Sequence, residues 1–171
     1  MDFLKLAQAR YSCKKYDPEQ KVPQEKLEKI LRAGQLAPTA KNSQPQHVYV
    51  MQSEEALRLV DSLTPCRYGA PVVLAITYDT QQEFVYPGEK YASGIEDASI
   101  VATHMMLAAA AEGVDSCWLN YFDPDKAAAA MQLPENEKVV LLLDIGYAAA
   151  GVRPTPTHAK TKSLEELVSY R

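Results

Sequence analysis

No stretch of this 171-residue chain is apolar for long enough to cross a bilayer. The most apolar segment, residues 98–111, falls short of the about 20 residues a span requires. Glu96, Asp97, His104 and Glu112 lie in or beside it. It reads instead as the central buried helix of a core, with Met105, Met106 and Leu107 as packing residues. Cysteine is sparse as well. Cys13, Cys66 and Cys117 are far apart, odd in number and without the two-residue spacing of zinc or dithiol sites, so buried or partly buried free thiols are expected. A formal charge of -4 gives no electrostatic reason to bind nucleic acid or an anionic membrane surface, which leaves small-molecule partners. The N-terminus lacks a basic start followed by an apolar run, so no secretory leader is expected and the cytoplasm is the expected location. Also missing are a Gly-rich dinucleotide or phosphate loop and a nucleophile elbow around a serine. His47, His104 and His158 fall in a strand, a buried helix and a loop, and no metal site is expected from them.

What is present suffices for one domain. With 47% hydrophobic residues and neither repeat nor linker, residues 1–171 can bury a single core. Asp2 can cap a helix ending near Arg10, and residues 10–16 read as extended. A second helix over residues 25–36 buries Leu27, Ile30 and Leu31 on one face. Residues 47–51 alternate as a strand, and Ser53 can cap a helix through Leu63. Residues 71–78 form a continuous apolar run, expected as a central strand covered on both faces. The pattern fails over residues 79–93, a candidate lid or binding loop. After the long helix over residues 94–112, residues 114–119 read as a second central strand, Asp123 and Pro124 start a short helix through Met131, and residues 138–147 make a further core strand. Residues 151–162 read as irregular before Ser163 caps a terminal segment. Strands and helices alternating in this way indicate an α/β layered domain.

Two segments carry candidate chemistry. Residues 37–45 gather Thr39, Asn42, Ser43 and Gln44 between Pro38 and Pro45, in a stretch expected to be non-helical. Pre-ordered amides supply donors and acceptors for the edge of a flavin or a nucleobase, although an ordinary turn has the same composition. In the extended segment, Arg10, Ser12 and Lys14 share one face because side chains alternate with a period of two. Two cations around a hydroxyl suit a phosphate monoester, with a solvated basic edge as the competing reading. Lys160 and Lys162 repeat the alternate spacing in the tail. Glu96 and Asp97 read as favourable charges at a helix N-terminus rather than as an acid/base pair.

Taken together, these motifs resemble the FMN-dependent nitroreductase family. Arg10, Ser12 and Lys14 match its N-terminal Arg-x-Ser-x-Lys pattern, and Pro38-Thr39-Ala40-Lys41-Asn42-Ser43-Gln44-Pro45 matches its Pro-Ser/Thr-Ala-x-Asn-x-Gln-Pro loop, at matching separation. Residues 113–122 look like the strand that passes the flavin, Leu133-Pro134 and Gly146-Tyr147 fit later signatures, and Lys160-Thr161-Lys162 resembles the basic tail. The resemblance spans essentially the whole chain and implies a short homodimeric member. The implied fold is an α/β (α+β) three-layer domain with a central mixed sheet flanked by helices, in an interlocked homodimer. Arg10, Tyr11, Ser12 and Lys14 would contact FMN, Lys160 and Lys162 would add charge at its phosphate, and Leu119 and Asn120 would face its ring. Pro38, Thr39, Ala40, Asn42 and Gln44 would come from the other subunit. NADH or NADPH would serve as donor, electron-poor acceptors such as nitroaromatics and quinones would be reduced in a ping-pong cycle, and no side chain would act as acid or base. Tyr86 and Tyr91 are the candidates for stacking on substrate.

The chain departs from the family pattern at Thr161, at Cys66-Arg67-Tyr68 and in the short segment 79–93. A non-catalytic FMN-binding or storage protein is therefore a second reading. A flavin-consuming or dehalogenating relative is a third, for which the expected extra lid is not evident.

Overall fold

A computed structural model describes residues 2–171. Two β-strands at its centre explain the rest of the layout. In β2 (Val72–Asp79) and β4 (Glu137–Gly146), consecutive residues are buried on opposite faces, so both sides of the sheet must be covered. Leu74, Ile76, Leu141, Leu143 and Ile145 meet α2 (Gln24–Gln35) and α4 (Gly94–Ala111) on one side. Val73, Ala75 and Leu142 meet α3 (Glu54–Leu63) and the region of α5 (Pro124–Ala130) on the other, through Val60, Leu57 and Met131. The result is the three-layer arrangement expected, helices on both faces of one sheet.

The sheet order is β1-β2-β4-β3, with β1 (Gln46–Met51) and β3 (Asp115–Leu119) outermost and every strand pair antiparallel. Residues 114–119 were expected as a central strand, whereas β3 lies at the edge. Its apolar character has another cause: the extended N-terminal segment runs along its outer side, with a parallel bridge from Ser12 to Ser116 and the Cys13 amide donating to the Ser116 carbonyl at 3.0 Å. That bridge is the parallel contribution to the sheet among the described residues.

Side-chain caps mark four of the six α-helix starts among the described residues. Asp2 accepts from the Leu4 amide at the start of α1 (Phe3–Ala9), Ser53 from Ala56, and Asp123 from Asp125 and Lys126. Ser163 and Glu166 form a capping box around α6 (Leu164–Leu167). At the start of α4, Gly94 admits the Tyr78 ring, which would lie 2.1 Å from a Cβ at that position. Cys13 and Cys117 are buried and Cys66 is half-buried, as expected.

Candidate functional site

The N-terminal segment and the C-terminal tail meet at Arg10. Arg10 follows the last turn of α1 in an extended conformation and lines a cleft of ≈ 600 Å³ with Leu4, Ala7, Gln8, His158 and Thr161. His158 anchors the tail there: its Nε2 lies 3.0 Å from the Gln8 carbonyl oxygen, and its ring meets Tyr11 edge-on at 6.5 Å. Burial, and then the Asp115 carboxylate, push the Tyr11 hydroxyl well above its ordinary pKa, so Tyr11 remains a neutral donor. Ser12, Lys14, Lys160 and Lys162 are all exposed, and the two tail lysines flank Thr161 in the wall of the Arg10 cleft. The structure thus gathers Arg10, Tyr11 and the basic tail at one end of the molecule.

The amide-rich loop has a different anchor. Residues Ala40–Asn42 form one 3-10 turn, which corrects the non-helical expectation. Pro38 and Pro45 prevent a continuing α-helix, but a single turn fits between them when Lys41 and Asn42 take positive φ of 51° and 56°. Gln44 is also left-handed, at 50°. Three non-glycine residues in that region within four positions store strain that the surroundings must offset. The Ala40 amide donates to Asp97 Oδ1 at 2.8 Å, and Ser93 Oγ donates to Asp97 Oδ2 at 2.7 Å. The Gln44 amide donates to Thr39 Oγ1 at 3.1 Å, and Gln44 Nε2 to the Asn42 carbonyl at 3.3 Å. Asp97 does keep its expected place in the first turn of α4, but it is also buried and clamps the loop, a role the sequence reading missed. Pro38, Lys41, Asn42 and Gln44 remain exposed.

Residues 79–93 close over this loop as a small hairpin, bridged between Val85 and Ala92. Lys41 Nζ sits 4.4 Å from the centre of the Phe84 ring, which in turn lies 5.5 Å from the Tyr86 ring. The Tyr86 hydroxyl donates to Glu96, and Tyr91 projects into solvent. Leu119 is buried at the end of β3. Asn120 receives a hydrogen bond from Trp118 Nε1 at 2.5 Å and donates to the Val140 carbonyl at 3.0 Å, beside a cleft of ≈ 560 Å³ that also touches Tyr78, Ile95 and Lys138.

The two halves of the candidate site lie at opposite ends of α4. The loop touches Asp97 in its first turn, whereas Arg10 shares a small cavity with Ala110 and Gly113 at its end. At 1.5 Å per residue that separation is about 20 Å. Among the described residues no group of His, Cys, Asp or Glu is arranged to hold a metal ion, and no helix is long and apolar enough to cross a membrane.

The sequence profile of the nitroreductase family matches residues 7–66 and 63–147. The chain belongs to the nitroreductase family. Membership makes it an oxidoreductase, and similar proteins agree in both sequence and fold. An Archaeoglobus fulgidus protein provisionally named NADH dehydrogenase/NAD(P)H nitroreductase is 30% identical over 154 residues, 84% of each chain. A nitroreductase family protein from Clostridium difficile 630 is 35% identical with a TM-score of 0.92, over 99% of this chain and 98% of its own. At 21% identity, a provisionally named nitroreductase from Exiguobacterium sibiricum 255-15, solved in complex with FMN, shares the fold with a TM-score of 0.84 over 100% of this chain and 98% of its own.

Proposed function

We propose that residues 1–171 form one FMN-binding domain of an NAD(P)H oxidoreductase that works as a homodimer in the cytoplasm, reducing electron-poor acceptors such as nitroaromatics and quinones. The observation that carries this reading is the separation along α4. A phosphate-binding half and an amide-rich half about 20 Å apart do not adjoin within one chain, whereas a twofold partner would bring each next to the other's complement. α4 itself supports a second copy, because it is predominantly apolar yet leaves Ile95 and Ile100 uncovered.

The residues fit the cofactor chemically. Arg10 offers a planar fork to a phosphate, Lys14, Lys160 and Lys162 add point charges, and Ser12 and Tyr11 supply hydroxyl donors. Ser43 Oγ and Gln46 Oε1, buried at the loop with no partner in the chain, leave hydrogen-bonding capacity there. Pro38, Thr39, Ala40 and Asn42 would cover the partner's ring, with Gln44 bracing the loop, and Leu119 and Asn120 would border it from within the chain. When bound, FMN supplies two-electron transfer between a nicotinamide donor and an acceptor. Tyr86 and Tyr91 would flank that acceptor. Donor and acceptor would use the same stacking face in turn, which gives ping-pong order, and no side chain acts as acid or base.

The test is to titrate the purified protein with FMN and then add NADH or NADPH without oxygen. Bleaching of bound flavin by either donor, followed by its return with a nitroaromatic or quinone, is the expected result. A protein that does not bind FMN rejects the reading. The short segment 79–93 favours a second reading, FMN binding or storage without turnover, and FMN bound tightly but bleached by neither donor would select it.

A further inference from the structure

Asp144 is an acid in the wrong place for an ion. It lies near the C-terminal end of β4, fully buried, paired across the sheet with Val73 on one side and Cys117 on the other. Neither carboxyl oxygen has a hydrogen-bond partner. The nearby cation, Arg67, is committed elsewhere: Nε and one terminal nitrogen hold Asp61 at 2.6 Å, and the other donates to the Ala70 carbonyl at 2.7 Å. An unpaired, unsolvated carboxylate would cost several kcal/mol or more, so such a group takes up a proton instead.

The surroundings link this acid to the flavin-binding segment. Tyr16 belongs to the extended N-terminal stretch and lays its ring over Gly146, 2.8 Å from where a Cβ would stand, on the face of β4 that also carries Asp144. Its hydroxyl is likewise buried without a partner, and burial and the Asp144 carboxylate both raise its pKa far above the ordinary value. Continuing the parallel register beyond the Ser12 to Ser116 bridge sets Cys13 beside Cys117, next to Asp144. Among the titratable groups acting on this patch, the Cys13 and Cys117 thiols and the Tyr16 and Tyr68 phenols are neutral at pH 7, while the Lys14 cation acts on Cys117 against its burial. Burial pushes the Cys117 thiol up to about 11 and raises that of Cys13; a hydrogen bond with Cys66, then burial, raises Tyr68 to about 12. Asp61 is held by Arg67, and the Asp115 carboxylate is bound to the Ala148 amide at 2.8 Å.

We propose that Asp144 is a buried proton-binding site that pins the N-terminal segment: the folded chain carries it as the neutral acid, and loss of its proton to solvent loosens Cys13 and Tyr16 and with them Arg10, Ser12 and Lys14. The effect on FMN rests on the function proposed above; the proton site itself does not. Burial raises the Asp144 carboxyl to about 9, against the weaker opposing pull of Arg67, from an unfolded value near 3.9. The contribution to stability is therefore complete below about pH 3.9 and is lost as pH rises through about 9, because over that window the folded chain holds one more proton than the unfolded chain.

The experiment compares the chain with Asp144→Asn, which is neutral at every pH. Unfolding equilibria in urea from pH 5 to pH 8 should show the variant gaining on the parent by about tenfold per pH unit. A constant ratio across the window overturns the proposal. If the variant does not fold, infrared spectra of the parent decide: a protonated-carboxyl band that survives at pH 7 and fades toward pH 10 supports the site, and its absence at pH 7 rejects it. FMN affinity should fall more steeply from pH 7 to pH 10 in the parent than in Asp144→Asn. Parallel falls would overturn the pinning of the segment, whereas a proton site of this kind in a protein that binds no FMN at any pH would reject only the flavin reading.

Discussion

The Ala40 amide donates to the carboxylate of Asp97 across 57 positions of sequence, at 2.8 Å. This one contact sets the strained loop on the first turn of the longest helix, and it makes the loop's shape depend on a buried acid.

Replacing Asp97 with Ala strands the Ala40 amide and the Ser93 hydroxyl. A stability loss of about 1–3 kcal/mol in urea unfolding is expected, with weaker FMN binding because the three left-handed residues lose their clamp. Asp97→Asn keeps an acceptor for Ala40 and should lose less. Equal losses in both variants would mean that charge, not the hydrogen bond, holds the loop.

Arg10→Ala should weaken FMN by about 1.5–3 kcal/mol, roughly ten- to more than a hundredfold, with little change in melting temperature. Arg10→Lys should recover only part, since a point charge lacks the guanidinium fork. Fluorescence titration measures both, and an unchanged dissociation constant in Arg10→Ala removes this residue from the phosphate site.

Gly94→Ala places a Cβ at 2.1 Å from Tyr78 Cδ2 and 2.2 Å from Cε2, so the ring or the helix start must move. A loss of about 1–3 kcal/mol is expected. Tyr78→Ala in the same chain should relieve part of it, so the double variant should lose less than the sum of the singles. Strict additivity would show that the clash is not what limits position 94.

The cysteines should separate by reactivity. Burial raises the Cys13 thiol and pushes Cys117 up to about 11, so both stay protonated well above neutral pH and inaccessible in the folded protein. Half-buried Cys66 should take up iodoacetamide first at pH 8 by mass spectrometry. Early modification of Cys117 would show that the N-terminal segment opens readily from β3.

Local signals made much of the fold readable. Ser53 and Asp123 mark the starts of α3 and α5 because a side-chain oxygen that satisfies backbone amides acts over three residues. The apolar runs of β2 and β4 announce strands covered on both faces. The place of β3 was not readable, since an edge strand shielded by residues 10–16 is as apolar as a central one. Asp97 has the same sequence signature whether it merely complements a helix terminus or captures a loop. His158 finds Gln8 from 150 positions away, and nothing local reports that. Asp144 does carry a signal, an acid that interrupts the apolar run from Val139 to Ile145 of a core strand.

The central claim is that each flavin site takes Arg10 and Lys14 from one chain and residues 37–45 from another. Co-expressing differently tagged Arg10→Ala and Asn42→Ala chains, and isolating the hybrid dimer through both tags, tests it directly. A shared site places both lesions in one half of the hybrid and leaves the other half intact, so about one FMN per hybrid dimer should bind with parental affinity, although neither variant alone binds so tightly. If every site in the hybrid stays as weak as in the parent variants, each chain builds its site alone and the account is contradicted.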